Sequence, residues 1–233
     1  WKGVVLGHDA PNFSAGANLA MIFMMAIDQD YDELDFAVRA FQQTSMRIRY
    51  SSVPVVAAPH GLTLGGGCEF TMHSDSAVVA AETYIGLVEI GVGILPAGGG
   101  TKEMALRASD AYYNGDPMIP QLAERFTAIA SAKVATSAYE GFGISVLDKK
   151  KDLVVVNQQR QLADAKRRVL ELYEEGYVQK PQRDDILVLG RSGLAALYAG
   201  AAAFNVGKYA SDHDFKIAKK IAYVLCGGDL TSE

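Results

Sequence analysis

The chain has 233 residues, 49% of them apolar and 21% charged, with a net charge of −5. That is enough apolar material for a packed core and too little basic charge for a nucleic-acid footprint. No run of eighteen apolar residues marks a membrane span, and the two cysteines, Cys68 and Cys226, lack the spacing of a zinc site. No metal site is therefore expected.

Val4-Val5-Leu6 reads as a short buried strand, and Gly7 to Ser14 as a polar turn. Asp32 to Tyr50 has helical periodicity. Leu34, Val38, Phe41, Ser45 and Ile48 share one face, and Asp32 is its expected N-cap. Strands are expected over Val53–Ala58, Ser76–Ala81 and Thr83–Gly86. Between them, Gly61 to Gly67 is a glycine-rich loop leading to a short helix over Glu69–His73. Gly91 to Gly100 forms a second such loop, and Thr101 opens another helix. Strands alternating with helices indicate an α/β domain. From Gln158 onward the pattern is all helical. Leu162, Ala165, Val169 and Leu172 make one apolar stripe, Leu194–Phe204 a small-residue helix, and Asp214–Cys226 a helix ended by Gly227-Gly228. This gives a core over 1–157 and a C-terminal helical region over 158–233.

Three glycine patterns mislead. The run from Gly91 to Gly100 lacks dinucleotide spacing, because Pro96 stands where the third glycine belongs, and Gly65-Gly66-Gly67 is followed by Cys68-Glu69, not by the lysine of a phosphate loop. Gly190-Arg191-Ser192-Gly193 lacks the spacing of a nucleophile elbow.

Three segments carry chemistry together: Phe13-Ser14-Ala15-Gly16-Ala17-Asn18-Leu19, His60 to Phe70, and Gly86 to Thr101. A triple glycine entering a helix bares backbone amides and lets a ligand approach the main chain. Such a helix start favours developing negative charge. The small-residue turn at Ala15-Gly16-Ala17 offers a further amide. Two amides aimed at one oxygen form an oxyanion hole, worth about 3–4 kcal/mol per donor. A carboxyl among apolar neighbours, as at Glu69 and Glu89, is suited to proton exchange, since burial disfavours its charged form. The same residues also fit a dipole-paired glutamate and a structural charge in an ordinary α/β fold.

The three segments resemble the crotonase superfamily of enoyl-CoA hydratases and isomerases. Gly65-Gly66-Gly67-Cys68-Glu69 matches its G-G-G-C-E motif, and Glu89 to Thr101 matches E-x-x-x-G-x-x-P-x-x-G-G-T. The first segment is similar to its F-x-A-G-A-D-L turn, with Asn18 in place of Asp. The resemblance implies a ββα spiral core and hydration of 2-trans-enoyl-CoA in fatty-acid β-oxidation. It assigns Glu69 as general base on water and Glu89 as proton donor to the α-carbon. It assigns the Ala17 and Gly66 amides to the oxyanion hole, and Ala15, Gly65, Ala97 and Gly98 to substrate binding. Ala97 stands where hydratases usually carry a glycine whose amide helps place the water. No cofactor is required; coenzyme A enters as part of the substrate.

The family's amino-terminal strands are not found before Trp1. The helical tail is similar to the hydratase part of a multifunctional enzyme that also carries a 3-hydroxyacyl-CoA dehydrogenase, which would bring NAD. A cytoplasmic location is expected, as a homo-oligomer or within a larger chain. Isomerisation, another crotonase reaction, and a non-catalytic acyl-CoA-binding module are the alternatives. His60 and His73 are expected to be core or capping residues, His8 and His213 surface turn residues, and Cys68 a buried filler. Tyr112 and Tyr113 stand open between an acyl pocket and simple packing.

Overall fold

A computed structural model describes residues 1–231 of the chain. In chain order its elements are β1 (Val4–Leu6), α1 (Leu19–Ile27), α2 (Tyr31–Arg49), β2 (Val55–Ala57), β3 (Leu62–Leu64), α3 (Gly66–His73), β4 (Ser76–Ala80) and β5 (Tyr84–Gly86). A 3-10 turn follows at Glu89–Val92, then α4 (Gly100–Ser109), α5 (Ile119–Ala130), α6 (Ala138–Gly143) and β6 (Leu153–Val155). The remainder holds a second 3-10 turn, Gln158–Arg160, and then α7 (Gln161–Glu174), α8 (Gly190–Val206) and α9 (Asp212–Leu225). Two compact units result, neither a continuous stretch of chain. The first is 1–86, 97–99 and 135–182, and the second is 87–96, 100–134 and 183–233.

In the first unit, four parallel strands form a sheet in the order β1-β2-β4-β6. Val55-Val56-Ala57 and Ser76–Ala80 are buried throughout, which is why they read as unbroken apolar runs instead of alternating ones. The expected stripe of α7 covers this sheet: Ala165 and Val169 pack with Val56, Ala58 and Val78, flanked by Leu162 and Leu172. Ala165 is fully buried. Ala165→Leu overfills this layer and is expected to cost about 1–3 kcal/mol, read from chemical denaturation.

Two buried aspartates pin the entry edges of the strands. Asp75, one residue before β4, accepts a hydrogen bond from the Val55 amide at 2.8 Å, and Asp152, one residue before β6, accepts one from the Ala77 amide at 2.8 Å. Asp75 also pairs with Lys180 at 2.8 Å and accepts from the Tyr177 hydroxyl at 3.3 Å. Burial, reinforced by the Asp75 charge, pushes that phenol well above its usual range. A shorter parallel pair, β3 with β5, lies in the same unit, with Leu62 opposite Tyr84 and Leu64 opposite Gly86.

The helix expected from Asp32 starts earlier. Asp30 is its N-cap, accepting from the Glu33 amide at 3.3 Å, so Asp32 falls inside the first turn. The expected core face of α2 is partly realised: Ser45 and Ile48 are buried, Leu34 and Phe41 half-buried, and Val38 exposed. Helix α3 begins at Gly66 and not at Glu69. Helix α1 is an element that periodicity did not announce, because its residues are apolar on every side. None of them is buried.

The second unit is helical, built from the 3-10 turn at Glu89 and from α4, α5, α8 and α9. Helix α9 starts with a capping box. Ser211 Oγ accepts from the Asp214 amide at 3.1 Å, and Asp214 Oδ2 accepts from the Ser211 amide at 2.9 Å. Gly227, at φ +71°, follows the C-cap residue Cys226 and stops the helix as expected. Ser211→Ala should cost about 1 kcal/mol of stability in thermal or chemical unfolding. The Ser211 hydroxyl and amide hold the Asp214 carboxyl below its ordinary value of 3.8. A carboxyl depressed by folding stabilises the fold above its unfolded pKa, and loses that contribution as pH falls through the folded value. The gap between parent and Ser211→Ala should therefore narrow below about pH 4. Among the described residues, no helix is long and apolar enough to cross a membrane.

Candidate active site

The first unit assembles most of the expected site. Ser14 sits beside Thr63 in a parallel bridge: its amide donates to Leu62 O at 2.8 Å, and the Leu64 amide donates to Ser14 O at 2.9 Å. The small-residue turn therefore leaves from the edge of β3. Ser14 Oγ closes it by accepting from the Gly16 amide at 3.1 Å. Asn18 then caps α1, with Oδ1 accepting from the Met21 amide at 3.3 Å. An asparagine serves as well as an aspartate in that role, so the Asn18 replacement is local and structural. Ala15 and Ala17 are exposed, and Ala17 lies one residue before the cap, outside the bonding of the helix.

The turn abuts the start of α3, because a side chain on Gly67 would run into Ser14 Cβ. The Gly65 amide is committed to the fold, donating to Gly86 O at 3.0 Å, and Gly65 stands at φ +55°, where other residues are strained. Gly66 is the first residue of α3, and the opening amides of a helix have no acceptor within it. Of the two glycines, Gly66 is thus the one whose amide stands at a dipole-positive helix start.

Glu69 lies in the first turn of α3 and is buried, at 3% exposure. Its amide donates to Gly65 O at 3.0 Å. Its carboxylate lies against Gly98, where an added Cβ would overlap both Glu69 Oε2 and the Phe41 ring. Gly98 therefore admits the carboxylate by lacking a side chain. Phe41, from α2, stacks on Phe70 with ring centroids 4.5 Å apart, and its ring borders Gly66 as well. Gln42 Nε2 donates to Ala97 O at 2.8 Å. His73 is buried, with Nδ1 2.6 Å from Glu69 O, and its ring lies beside Gly99. His60 is buried too, tying Ala58 O to Ala10 O. Both histidines are structural in this arrangement. Cys68 is fully buried.

Glu89 belongs to the second unit and opens its 3-10 turn, half-buried, with Leu87 and Ile90 buried on either side. The Ile94 amide donates to Glu89 O at 3.2 Å, and Gly93 ends the turn at φ +80°. His213 Nε2 lies 2.8 Å from Gly93 O, which ties this turn to the start of α9. Thr101 Oγ1 donates to Pro96 O at 3.0 Å. Tyr112 is half-buried and Tyr113 is exposed.

Sequence reasoning missed Phe41 and Gln42 as neighbours of the site. Phe41 was visible only as an apolar position on a helix face, and no motif spacing links residues 41 and 42 to 97 and 98. Chemically, the first unit presents helix-start amides suited to a developing oxyanion next to a buried carboxylate suited to proton transfer.

Short parallel strands, a glycine-opened helix and a glutamate in its first turn are features of a crotonase-type fold. The family model for enoyl-CoA hydratase/isomerase matches residues 1–132, and the chain belongs to that family. It is 46% identical over 228 residues to a Bacillus subtilis (strain 168) protein named "Probable 3-hydroxyacyl-CoA dehydrogenase", covering 98% of this chain and 28% of that one. A Rickettsia felis protein named "Putative fatty acid oxidation complex trifunctional enzyme" is 39% identical over 107 residues, 46% of this chain and 15% of its own length. The chain thus spans less than a third of either relative. The crystal structure of an enoyl-CoA hydratase from Polaromonas sp. JS666 shares the fold, with a TM-score of 0.58 at 17% identity, covering 96% of this chain and 73% of that one.

Proposed function

We propose that this chain adds water across the double bond of a 2-trans-enoyl-CoA, giving the 3-hydroxyacyl-CoA of fatty-acid β-oxidation. The amides of Ala17 and Gly66 hold the thioester oxygen. Glu69 takes a proton from water as its oxygen bonds to the β-carbon, and the electron pair of the double bond moves toward the thioester as an enolate. Glu89 returns a proton to the α-carbon. Ala97 helps place the water, and Ala15, Gly65 and Gly98 border the substrate. No cofactor takes part, and coenzyme A is part of the substrate. The observation that carries this reading is the buried Glu69 carboxylate, seated on Gly98 one turn along from the opening amide of α3.

The names of the longer relatives support a second element of the proposal. The chain works as the hydratase part of a larger, cytoplasmic multifunctional enzyme, whose 3-hydroxyacyl-CoA dehydrogenase uses NAD to oxidise the product. Loss of the conjugated enoyl-thioester absorbance on mixing crotonyl-CoA with the protein is the test. Hydration by the parent and its near absence in Glu89→Gln are expected; a folded parent that leaves the absorbance unchanged refutes the proposal.

A further inference from the structure

We propose that Gln42 is a positioning residue of this site, acting through the Ala97–Gly98 peptide. The inference rests on the reading of Glu69 as the hydration base. Ala97 O and the Gly98 N–H belong to one planar peptide unit and point in opposite directions. Gln42 Nε2 donates to Ala97 O at 2.8 Å, so it fixes the direction in which the Gly98 amide is presented. Gly98 is the residue against which the Glu69 carboxylate sits. The neighbouring residues of α2 complete the grip. The Phe41 ring lies on Gly98, and Met46, one turn on from Gln42, reaches Gly99, with Cε 3.8 Å from the position a Cβ would take there. One face of α2 therefore holds 97–99, and within that grip Gln42 supplies a side-chain hydrogen bond to the segment's backbone. Apolar contacts fix where the segment lies; the Gln42 bond fixes how its peptide plane is turned. A plane turned away would disturb the Gly98 backbone on which the Glu69 carboxylate is seated, next to the Ala97 amide assigned to the attacking water, and would leave the thioester-binding amides of Ala17 and Gly66 untouched.

The test compares Gln42→Met and Gln42→Glu, which keep the length of the side chain and lose the donor, with Gln42→Lys, which restores a donor, and with Gln43→Met on the exposed neighbour as control. With crotonyl-CoA, kcat should fall about 3- to 10-fold in the first two, with KM within about twofold of the parent. Gln42→Lys should recover part of the loss, and Gln43→Met should match the parent. In the same variants the Gly98 amide resonance, read by NMR without substrate, should move and its hydrogen exchange should quicken. A kcat within about twofold of the parent in Gln42→Met, or a loss carried by KM alone, overturns the inference. If the parent itself hydrates nothing, the reading of function fails separately. An unmoved Gly98 resonance in Gln42→Met overturns the positioning role whatever the turnover.

Discussion

Glu69→Gln is expected to lower hydration of crotonyl-CoA by about 10²–10⁴-fold, the range for loss of a positioned acid–base group. The substitution keeps the shape of the side chain and its place in the first turn of α3, and removes only the ability to take a proton. Acyl-CoA binding, measured by calorimetry, should stay within a few-fold of the parent, because the amides of Ala17 and Gly66 are untouched. A buried carboxylate carries a desolvation cost that the amide does not, so thermal stability should hold or rise slightly. A Glu69→Gln enzyme that retained most of its turnover would mean that the carboxylate is a structural partner of the helix start and nothing more.

Gly98→Ala should have the second large effect, for a steric reason. The new methyl has no free space, since it would overlap Glu69 Oε2 and the Phe41 ring together. Phe41 is stacked on Phe70 and cannot swing aside cheaply. The expected cost in stability is about 1–3 kcal/mol, as for other overpacked sites. The expected loss in kcat is about 10²-fold, because the carboxylate must shift to make room. Gly143→Ala is the control: nothing lies within 4 Å of its Cβ position, and the residue ends α6. That variant should be neutral or slightly more stable. Combining Gly98→Ala with Phe41→Val should return stability without returning kcat, since the clash with the carboxylate remains. Recovery of both together would show that Phe41, and not Glu69, governs the effect.

The chemistry-bearing segments were legible because each needs residues that packing alone seldom requires at such spacing. Gly65-Gly66-Gly67 entering a helix and Glu69 one turn later could be read directly. The same holds for the α7 stripe, whose spacing of apolar residues at Leu162, Ala165, Val169 and Leu172 is that of one helix face on a sheet. Other elements left no such trace. Leu62-Thr63-Leu64 is a strand of three residues enclosed by glycines, too short for a period to show. Helix α1 is uniformly apolar from Leu19 to Ile27, so it has no polar face to reveal its turn. Helix α5 opens with Pro120 in its first turn, and its buried face, which includes Leu122, Phe126 and Ile129, emerges only against the rest of the second unit. The hold of Gln42 on Ala97 spans 55 residues, a contact made by tertiary packing alone.

Hydration in ¹⁸O-labelled water tests the central claim most directly. Mass spectrometry of the product from crotonyl-CoA should show a 3-hydroxyacyl thioester that has gained one labelled water, with the coenzyme A thioester intact and with almost no product from Glu69→Gln. An unlabelled positional isomer of the enoyl-CoA, or unchanged substrate after incubation with the folded protein, would contradict the account.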